Sequence, residues 1–146
     1  MHQYSWKKKF FSSTTNLYLD NAIIGNFAMG IFMKTYIELL GNTYTVKMPS
    51  IWANNFGVYK NEEKTPIATL QFNFWGSSTK IIYNHTIYEM VYRSIFHNHF
   101  DIYHQNKSIY TYDASKLRGY IKTTKQEDPL LIILGLYCHA RGRRNN

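Results

Sequence analysis

Hydrophobic and polar positions along most of the chain follow a repeat with a period of 19 to 23 residues. In each copy a bulky apolar residue is followed six and seven residues later by an apolar pair, and then by Asp or Asn. The bulky residues are Phe11, Met33, Trp52, Trp75 and Phe96. The pairs and their polar followers are Leu17-Tyr18 with Asp20, Leu39-Leu40 with Asn42, Val58-Tyr59 with Asn61, Ile81-Ile82 with Asn84, and Ile102-Tyr103 with Gln105-Asn106.

Each copy predicts one β-hairpin, in which a strand ends at the bulky residue, a short turn follows, and a second strand leads into an Asx-type turn. The first turn is filled by small or polar residues, at 12–16, 53–55, 76–79 and 97–99. Segments 109–112 and 118–122 predict two further strands, which brings the total to about 10 to 12. The alternative is that this spacing arises by chance in a chain rich in Tyr and Phe.

One strongly apolar helix is predicted near the C-terminus, from 128 to about 141. Asp128 suits the N-cap and Pro129 the first helical position, where no amide donor is needed. Residues 130–137 are apolar on every side, so the helix has to be surrounded by other elements. The run is far shorter than the roughly 20 residues that cross a bilayer. Gly135 lowers helix propensity by about 1 kcal/mol, so we expect a strand to approach closely there.

These elements predict a mainly β fold, a closed antiparallel barrel of about 10 to 12 strands built from repeated hairpins. Closing the sheet removes its exposed edges. A barrel of this size leaves an interior too wide for strand side chains alone, and the C-terminal helix is predicted to fill it. The length suits one domain over 1–146, with strands over about 2–123, the helix over about 128–141 and a basic tail over 142–146.

The chain resembles the tubby-like C-terminal fold, whose members include the tubby proteins, the phospholipid scramblases and the LURP-one-related proteins. The similarity covers nearly the whole chain. It rests on repeated units such as Lys9-Phe10-Phe11 leading to Leu17-Tyr18-Leu19-Asp20-Asn21, and on the ending Asp128-Pro129-Leu130-Leu131-Ile132-Ile133-Leu134-Gly135-Leu136-Tyr137. The resemblance implies a hairpin barrel around a C-terminal helix and, through the tubby proteins, binding of lipid head groups. It does not imply scramblase activity, because the calcium-binding and cysteine-rich features of scramblases are absent.

Residue types that support catalysis do not form a recognisable motif, so we expect neither enzymatic activity nor a cofactor. The chain lacks a Gly-rich phosphate loop, a nucleophile elbow and a His pair on a helix. On a continuous strand His97, His99 and Asp101 would share one face, with His104 beyond, as metal ligands do. Because the repeat places 97–99 in a turn, we predict a solvated turn and no metal site. Cys138 is predicted to be a small buried hydrophobic residue.

The charge balance is the remaining functional signal. Seventeen Lys and Arg against nine Asp and Glu give a net charge of +8, and the pI is near 9.5. Such a surface attracts lipid head groups or nucleic acid, although lysines on outward strand positions also simply keep a β protein soluble. The predicted anion-binding residues form two clusters, Lys7, Lys8 and Lys9 near the N-terminus, and Arg141, Arg143 and Arg144 near the C-terminus.

The leading hypothesis is a non-enzymatic binding module that docks on anionic phospholipid head groups or membrane surfaces. A second hypothesis is a nucleic-acid-binding barrel whose exposed aromatic residues stack on bases, with candidates Tyr83, Tyr88, Tyr92, Tyr103 and Tyr110. A third is a small-ligand carrier or enzyme with a pocket between barrel and helix, and a structural domain with a basic solubilising surface remains open as well. The N-terminal segment is not of signal-peptide type, so we expect a cytoplasmic protein, peripheral at the membrane, with no transmembrane segment.

Overall fold

The computed structural model describes residues 2–9, 12–29, 34–48, 55–73, 78–93, 98–114, 117–124 and 126–144, with the backbone alone at 143 and 144. Twelve strands and one helix lie within these ranges. The strands are β1 (Tyr4–Lys8), β2 (Thr14–Leu19), β3 (Ala22–Ala28), β4 (Lys34–Leu39), β5 (Asn42–Lys47), β6 (Asn55–Lys60), β7 (Ala68–Phe72), β8 (Ser78–Tyr83), β9 (Thr86–Tyr92), β10 (His99–His104), β11 (Lys107–Asp113) and β12 (Arg118–Thr123). The helix is α1 (Pro129–Arg144).

The strands form a closed antiparallel barrel in which each strand pairs with its neighbours in the sequence. The first strand, β1, closes the barrel by pairing with the last, β12, in a register that sets Tyr4 opposite Ile121 and Trp6 opposite Gly119. Side chains alternate between the inner and outer faces of a strand. In β4, accordingly, Thr35, Ile37 and Leu39 are buried while the residues between them are exposed. The predicted mainly β barrel is confirmed.

Connections at one end of the barrel are tight turns with a left-handed backbone. Most are two-residue hairpin turns, whose twist matches that of the strands they join. Because the strands alternate in direction, these turns all lie at the same end, which we call the turn end. The connections after β1, β3, β5, β7, β9 and β11 lie at the opposite end, which we call the loop end. The residues with positive φ are Asp20-Asn21, Leu40-Gly41, Asn61, Asn84-His85 and Gln105-Asn106.

The predicted repeat matches this architecture in its apolar pairs, which fall at β2, β4, β6, β8 and β10, except that Leu40 lies in the turn after β4. In the second copy of the repeat the turn was predicted at Asn42, which is wrong. Asn42 begins β5, and the turn before it is Leu40-Gly41. The predicted first turns are too long, since β2, β6, β8 and β10 begin at Thr14, Asn55, Ser78 and His99. The bulky residues of the repeat lie outside the described residues: Phe11, Met33, Trp52, Trp75 and Phe96.

The C-terminal helix lies inside the barrel, as predicted. The Asp128 carboxylate caps it by accepting hydrogen bonds from the amides of Leu130 at 3.1 Å and Leu131 at 3.4 Å. The helix continues to Arg144, three residues beyond the predicted end. No helix among the described residues is long and apolar enough to cross a membrane. The predicted burial of the helix is confirmed. Only 0 to 6% of the surface is exposed at Leu130, Leu131, Ile132, Ile133, Leu134 and Leu136.

A side chain of β11 lies against the helix at Gly135, as expected from the sequence. The Tyr112 hydroxyl, projecting inward from β11, donates a hydrogen bond of 2.8 Å to the carbonyl oxygen of Ile132. A Cβ atom at Gly135 would lie 2.5 Å from that same hydroxyl oxygen. The phenol therefore occupies the space that any larger residue would need.

Replacing Gly135 by Ala is expected to destabilise the protein by about 1–2 kcal/mol. Overpacking a core costs about 1–3 kcal/mol, and the gain in helix propensity of about 1 kcal/mol offsets part of it. Gly142→Ala is the matched control, because a Cβ there would meet only the Tyr92 hydroxyl at 3.7 Å, an ordinary contact. Urea unfolding followed by circular dichroism measures both. Equal stability of the two variants would show that Tyr112 does not confine the helix at Gly135.

Candidate functional site

The interior of the barrel is filled by side chains. The largest fully buried side chains come from both the strands and the helix, and Phe100 stacks on Tyr112 with ring centroids 4.2 Å apart. Cys138 is buried as predicted, and burial raises the pKa of its thiol. Two grooves lined by described residues lie on the outer wall of the barrel. These grooves and the charged ends of the barrel are the candidates for a functional site.

Charged residues are distributed unequally between the two ends of the barrel. The loop end carries two described carboxylates, Asp101 and Asp113, and Asp101 is fully buried. The turn end mixes both signs, with Lys60, Lys64, Lys107 and Lys122 beside six carboxylates, those of Asp20, Glu38, Glu62, Glu63, Glu127 and Asp128. The described cations of the loop end, which we call the cation array, are Lys7, Lys8, Lys9, Lys34, Lys47, Arg93, Arg118 and Arg141.

Both predicted basic clusters belong to the loop end. Lys7 and Lys8 end β1 and Lys9 follows, all of them exposed. Arg141 lies in the last turns of the helix, which runs from the turn end to the loop end. The helical backbone includes Arg143 and Arg144, whose side chains lie outside the described residues. The topology thus brings the N-terminal and C-terminal clusters to one end of the barrel.

Arg141 is partly engaged inside the protein. Its guanidinium donates hydrogen bonds to the Tyr137 hydroxyl at 3.3 and 3.1 Å. It also lies 5.3 Å from the centroid of the Phe56 ring, a cation–π contact. Arg141 therefore helps to fix the end of the helix against β6, and it is only half-buried, so part of its charge still faces the loop end.

Besides Arg93, which pairs with Asp101, sequence reasoning missed three members of the cation array, Lys34, Lys47 and Arg118. The structure sets Lys34 directly opposite Lys47 and Lys7 directly opposite Arg118. All four side chains are exposed, and none takes part in the three ion pairs formed among the described residues. Like charges opposite each other on neighbouring strands are destabilising. The Lys34–Lys47 pair was predictable by counting outward from the Leu40-Gly41 turn.

Asp101 is held by a neighbouring cation. Its Oδ2 accepts hydrogen bonds from Arg93 Nε at 2.7 Å and from the Tyr103 hydroxyl at 3.2 Å. The bond to Asp101 raises the pKa of the Arg93 guanidinium. His99 is the first residue of β10, which corrects the predicted turn, and His97 lies outside the described residues. Within the described part of the chain, no three His, Cys, Asp or Glu residues are grouped as metal ligands.

The tyrosines suggested for base stacking belong to the barrel wall. Tyr88 and Tyr110 are buried, and Tyr83, Tyr92 and Tyr103 are half-buried, so the expectation that they are exposed is wrong. The Tyr110 hydroxyl accepts a hydrogen bond from the Asp128 amide at 3.0 Å, and the Tyr92 hydroxyl lies 2.8 Å from His139 Nδ1. Tyr110 and Tyr92 therefore help to hold the helix in place.

Tyrosines around Asp128 at the turn end are expected to make stability depend on alkaline pH. Burial, followed by the charge and hydrogen bond of Asp128, raises the pKa of Tyr83 from 10.0 to about 12. Burial also raises the pKa of Tyr4 and of Tyr44, with smaller effects from nearby carboxylates. Because the folded pKa lies above the unfolded value, this stabilisation is complete below about pH 10 and is lost as the pH rises through about 12.

Urea unfolding at a series of pH values tests this expectation. Below about pH 10 the ionisation of these tyrosines should not change the free energy of unfolding, and above about pH 10 the free energy of unfolding should fall as the pH rises. Tyr83→Phe should make the fall shallower, because it removes one titrating group. Tyr36→Phe, at an outward position that is 57% exposed, is the control. Identical slopes above pH 10 in wild type and Tyr83→Phe would contradict the assignment.

No protein-family model, curated protein or solved structure compared with the chain matches it. The similarity to the tubby-like fold therefore stays a prediction based on the repeated units and the C-terminal helix. The activity of the loop end has to be inferred from its own residues.

Proposed function

We propose that the protein is a non-enzymatic binding module that docks its loop end on anionic phospholipid surfaces. The observation that carries the proposal is the concentration of cations at that end, which includes two like-charged pairs on neighbouring strands, Lys34–Lys47 and Lys7–Arg118. Cations that only keep the protein soluble do not have to lie directly opposite each other on neighbouring strands. An anionic partner would relieve the repulsion within each pair.

The size of the cation array suits an anionic membrane. Each Lys or Arg close to such a surface contributes about 1 kcal/mol, and the attraction falls off within a Debye length of about 8–10 Å. End-on docking brings all members of the array towards the surface together, because every second strand ends at the loop end. The acidic residues of the turn end then lie on the far side of the barrel, where they weaken binding least.

Two observations favour lipid over nucleic acid. Two of the five tyrosines suggested for stacking, Tyr88 and Tyr110, are buried, so they do not offer ring faces to single-stranded bases. Leu117, by contrast, is 39% exposed among the cations of the loop end, and its carbonyl oxygen accepts a hydrogen bond from the Lys8 amide. An apolar side chain flanked by cations suits a membrane interface. The predicted similarity to tubby-like proteins agrees with this choice.

Vesicle flotation of the full chain tests the proposal. We expect flotation with vesicles that contain phosphatidylserine and none with vesicles of phosphatidylcholine alone. Binding should weaken strongly between low and physiological salt, because surface electrostatics are screened. Equal flotation with both vesicles, or none with either, would contradict the proposal. Binding to a single-stranded oligonucleotide without flotation would favour the nucleic-acid alternative.

A further inference from the structure

The seam where the first and last strands meet carries a groove on the outer wall. Its volume is about 650 Å³. Ser5 lies in the middle of it on β1, directly opposite Tyr18 of β2 and Tyr120 of β12. The residues that define its walls and ends are Ser5, Lys7, Tyr18, Asn21, Arg118 and Tyr120.

Tyr18 and Tyr120 stand on either side of Ser5, whose small side chain forms the floor of the groove. Ser5 is small, Tyr18 is half-buried, and Tyr120 is 63% exposed, the largest exposure among the bulky apolar and aromatic residues described. Tyr18 and Tyr120 are two strand spacings apart, which separates their Cα atoms by about 9–10 Å. This separation leaves room for one flat ring between the side chains of Tyr18 and Tyr120. An exposed tyrosine beside such a slot is poorly explained by barrel packing.

The floor of the groove is fixed by an interaction that crosses the seam. The indole of Trp6 donates a hydrogen bond of 2.8 Å to the carbonyl oxygen of Asp113. Gly119 permits this contact, because a Cβ there would collide with that carbonyl oxygen and lie 2.9 Å from the indole nitrogen. The Tyr120 wall is therefore attached to a rigid backbone, which lowers the entropy cost of binding a ligand.

One end of the groove is cationic. Lys7 and Arg118 face each other there, about 7 Å along the strands from the level of Ser5, since two residues of a strand span that distance. Arg offers a planar fork of donors and Lys a mobile point charge, a combination suited to phosphate. Asp113 also lines the groove, with its Oδ1 3.9 Å from His99 Nδ1.

We propose that this groove binds a flat aromatic ring that is linked to a phosphate monoester. The ring lies between Tyr18 and Tyr120, and its phosphate lies between Lys7 and Arg118. Asn21 lies at the opposite end of the groove from the two cations, where its amide can hydrogen-bond a polar group on the ring. The inference goes beyond the proposed function, because it assigns a soluble ligand to the side wall, although Lys7 and Arg118 belong both to this groove and to the cation array.

Isothermal titration calorimetry of the full chain tests the site with three probes, namely adenosine monophosphate, inositol monophosphate and inorganic phosphate. We expect adenosine monophosphate to bind about tenfold more tightly than inorganic phosphate, because stacking of its flat base adds to charge. Inositol monophosphate is the control, because its saturated, puckered ring cannot stack, so it should bind no more tightly than inorganic phosphate. Equal affinity for all three probes, or no binding, would overturn the proposal.

Two variants separate the groove from membrane docking. Tyr120→Ala should weaken binding of adenosine monophosphate about tenfold and leave flotation with acidic vesicles unchanged. Tyr36→Ala, at a similarly exposed outward tyrosine on β4, should change neither. If Tyr120→Ala and Tyr36→Ala bind adenosine monophosphate equally well, the proposed site is wrong, whatever the flotation result.

Discussion

A fragment that ends at residue 127 is expected not to fold. It lacks the helix whose six leucine and isoleucine side chains from Leu130 to Leu136 are 0 to 6% exposed. Burial of each such side chain contributes about 1.5–3 kcal/mol, and the sum is large against a net stability of about 5–15 kcal/mol. Without the helix the barrel would have to enclose an empty interior or fill it with water beside apolar walls.

Circular dichroism and thermal melting of the 1–127 fragment measure this effect. We expect no cooperative transition in the fragment. A chain that ends at residue 141 is the control, because it retains the buried part of the helix and should melt cooperatively. A fragment 1–127 that melts near the temperature of the full chain would show that the helix is not the core of the barrel. The helix would then be better explained as an anchor that rests in a membrane interface.

Removal of the Arg93 guanidinium is expected to have the second largest effect. Asp101 is fully buried, and its Oδ1 has no hydrogen-bond partner among the described residues. The carboxylate therefore depends on Arg93 and the Tyr103 hydroxyl, both of which bind Oδ2. Loss of one partner of a buried ion pair costs about 3–5 kcal/mol. Because Arg93 is 56% exposed, we expect about 3 kcal/mol for Arg93→Met.

A second substitution identifies the cause. Adding Asp101→Asn to Arg93→Met removes the isolated charge and should recover at least part of the lost stability. Arg118→Met is the matched control, since that arginine is exposed and takes part in none of the described ion pairs. Its substitution should change the free energy of unfolding by less than about 0.5 kcal/mol. If Arg93→Met behaves like Arg118→Met in urea unfolding, the ion pair does not support the barrel.

The sequence predicts the barrel well because local patterns determine its elements. Apolar pairs at fixed spacing mark the second strand of each hairpin, and the apolar run after Asp128 can only be a buried helix. The turn at Leu40-Gly41 was assigned wrongly to Asn42, because Asx residues favour turns whereas Leu seldom adopts positive φ. Asn42 is instead the first residue of β5. The other four polar positions of the repeat do lie in turns, at Asp20, Asn61, Asn84 and Gln105-Asn106.

The candidate sites are less predictable because they depend on pairing between distant segments. Lys7 stands out in the sequence, but its partner Arg118 is brought to it only by closure of the barrel. The same closure places Tyr120 beside Ser5. Arg141 looked like a surface cation, yet its contacts with Tyr137 and Phe56 hold it partly inside. A local pattern gives no information on such contacts.

If the loop end is the docking surface, vesicle binding depends on where the cations lie and not only on the net charge. Two double variants lower the net charge by the same amount at opposite ends. Lys34→Gln with Lys47→Gln removes two exposed cations from the loop end, and Lys64→Gln with Lys107→Gln removes two exposed cations from the turn end. Quantitative flotation with phosphatidylserine vesicles compares them. We expect the loop-end pair to weaken binding about 30-fold, from about 1 kcal/mol per cation, and the turn-end pair to leave it nearly unchanged. Equal losses from both pairs would contradict docking by the loop end, because net charge alone would then account for the binding.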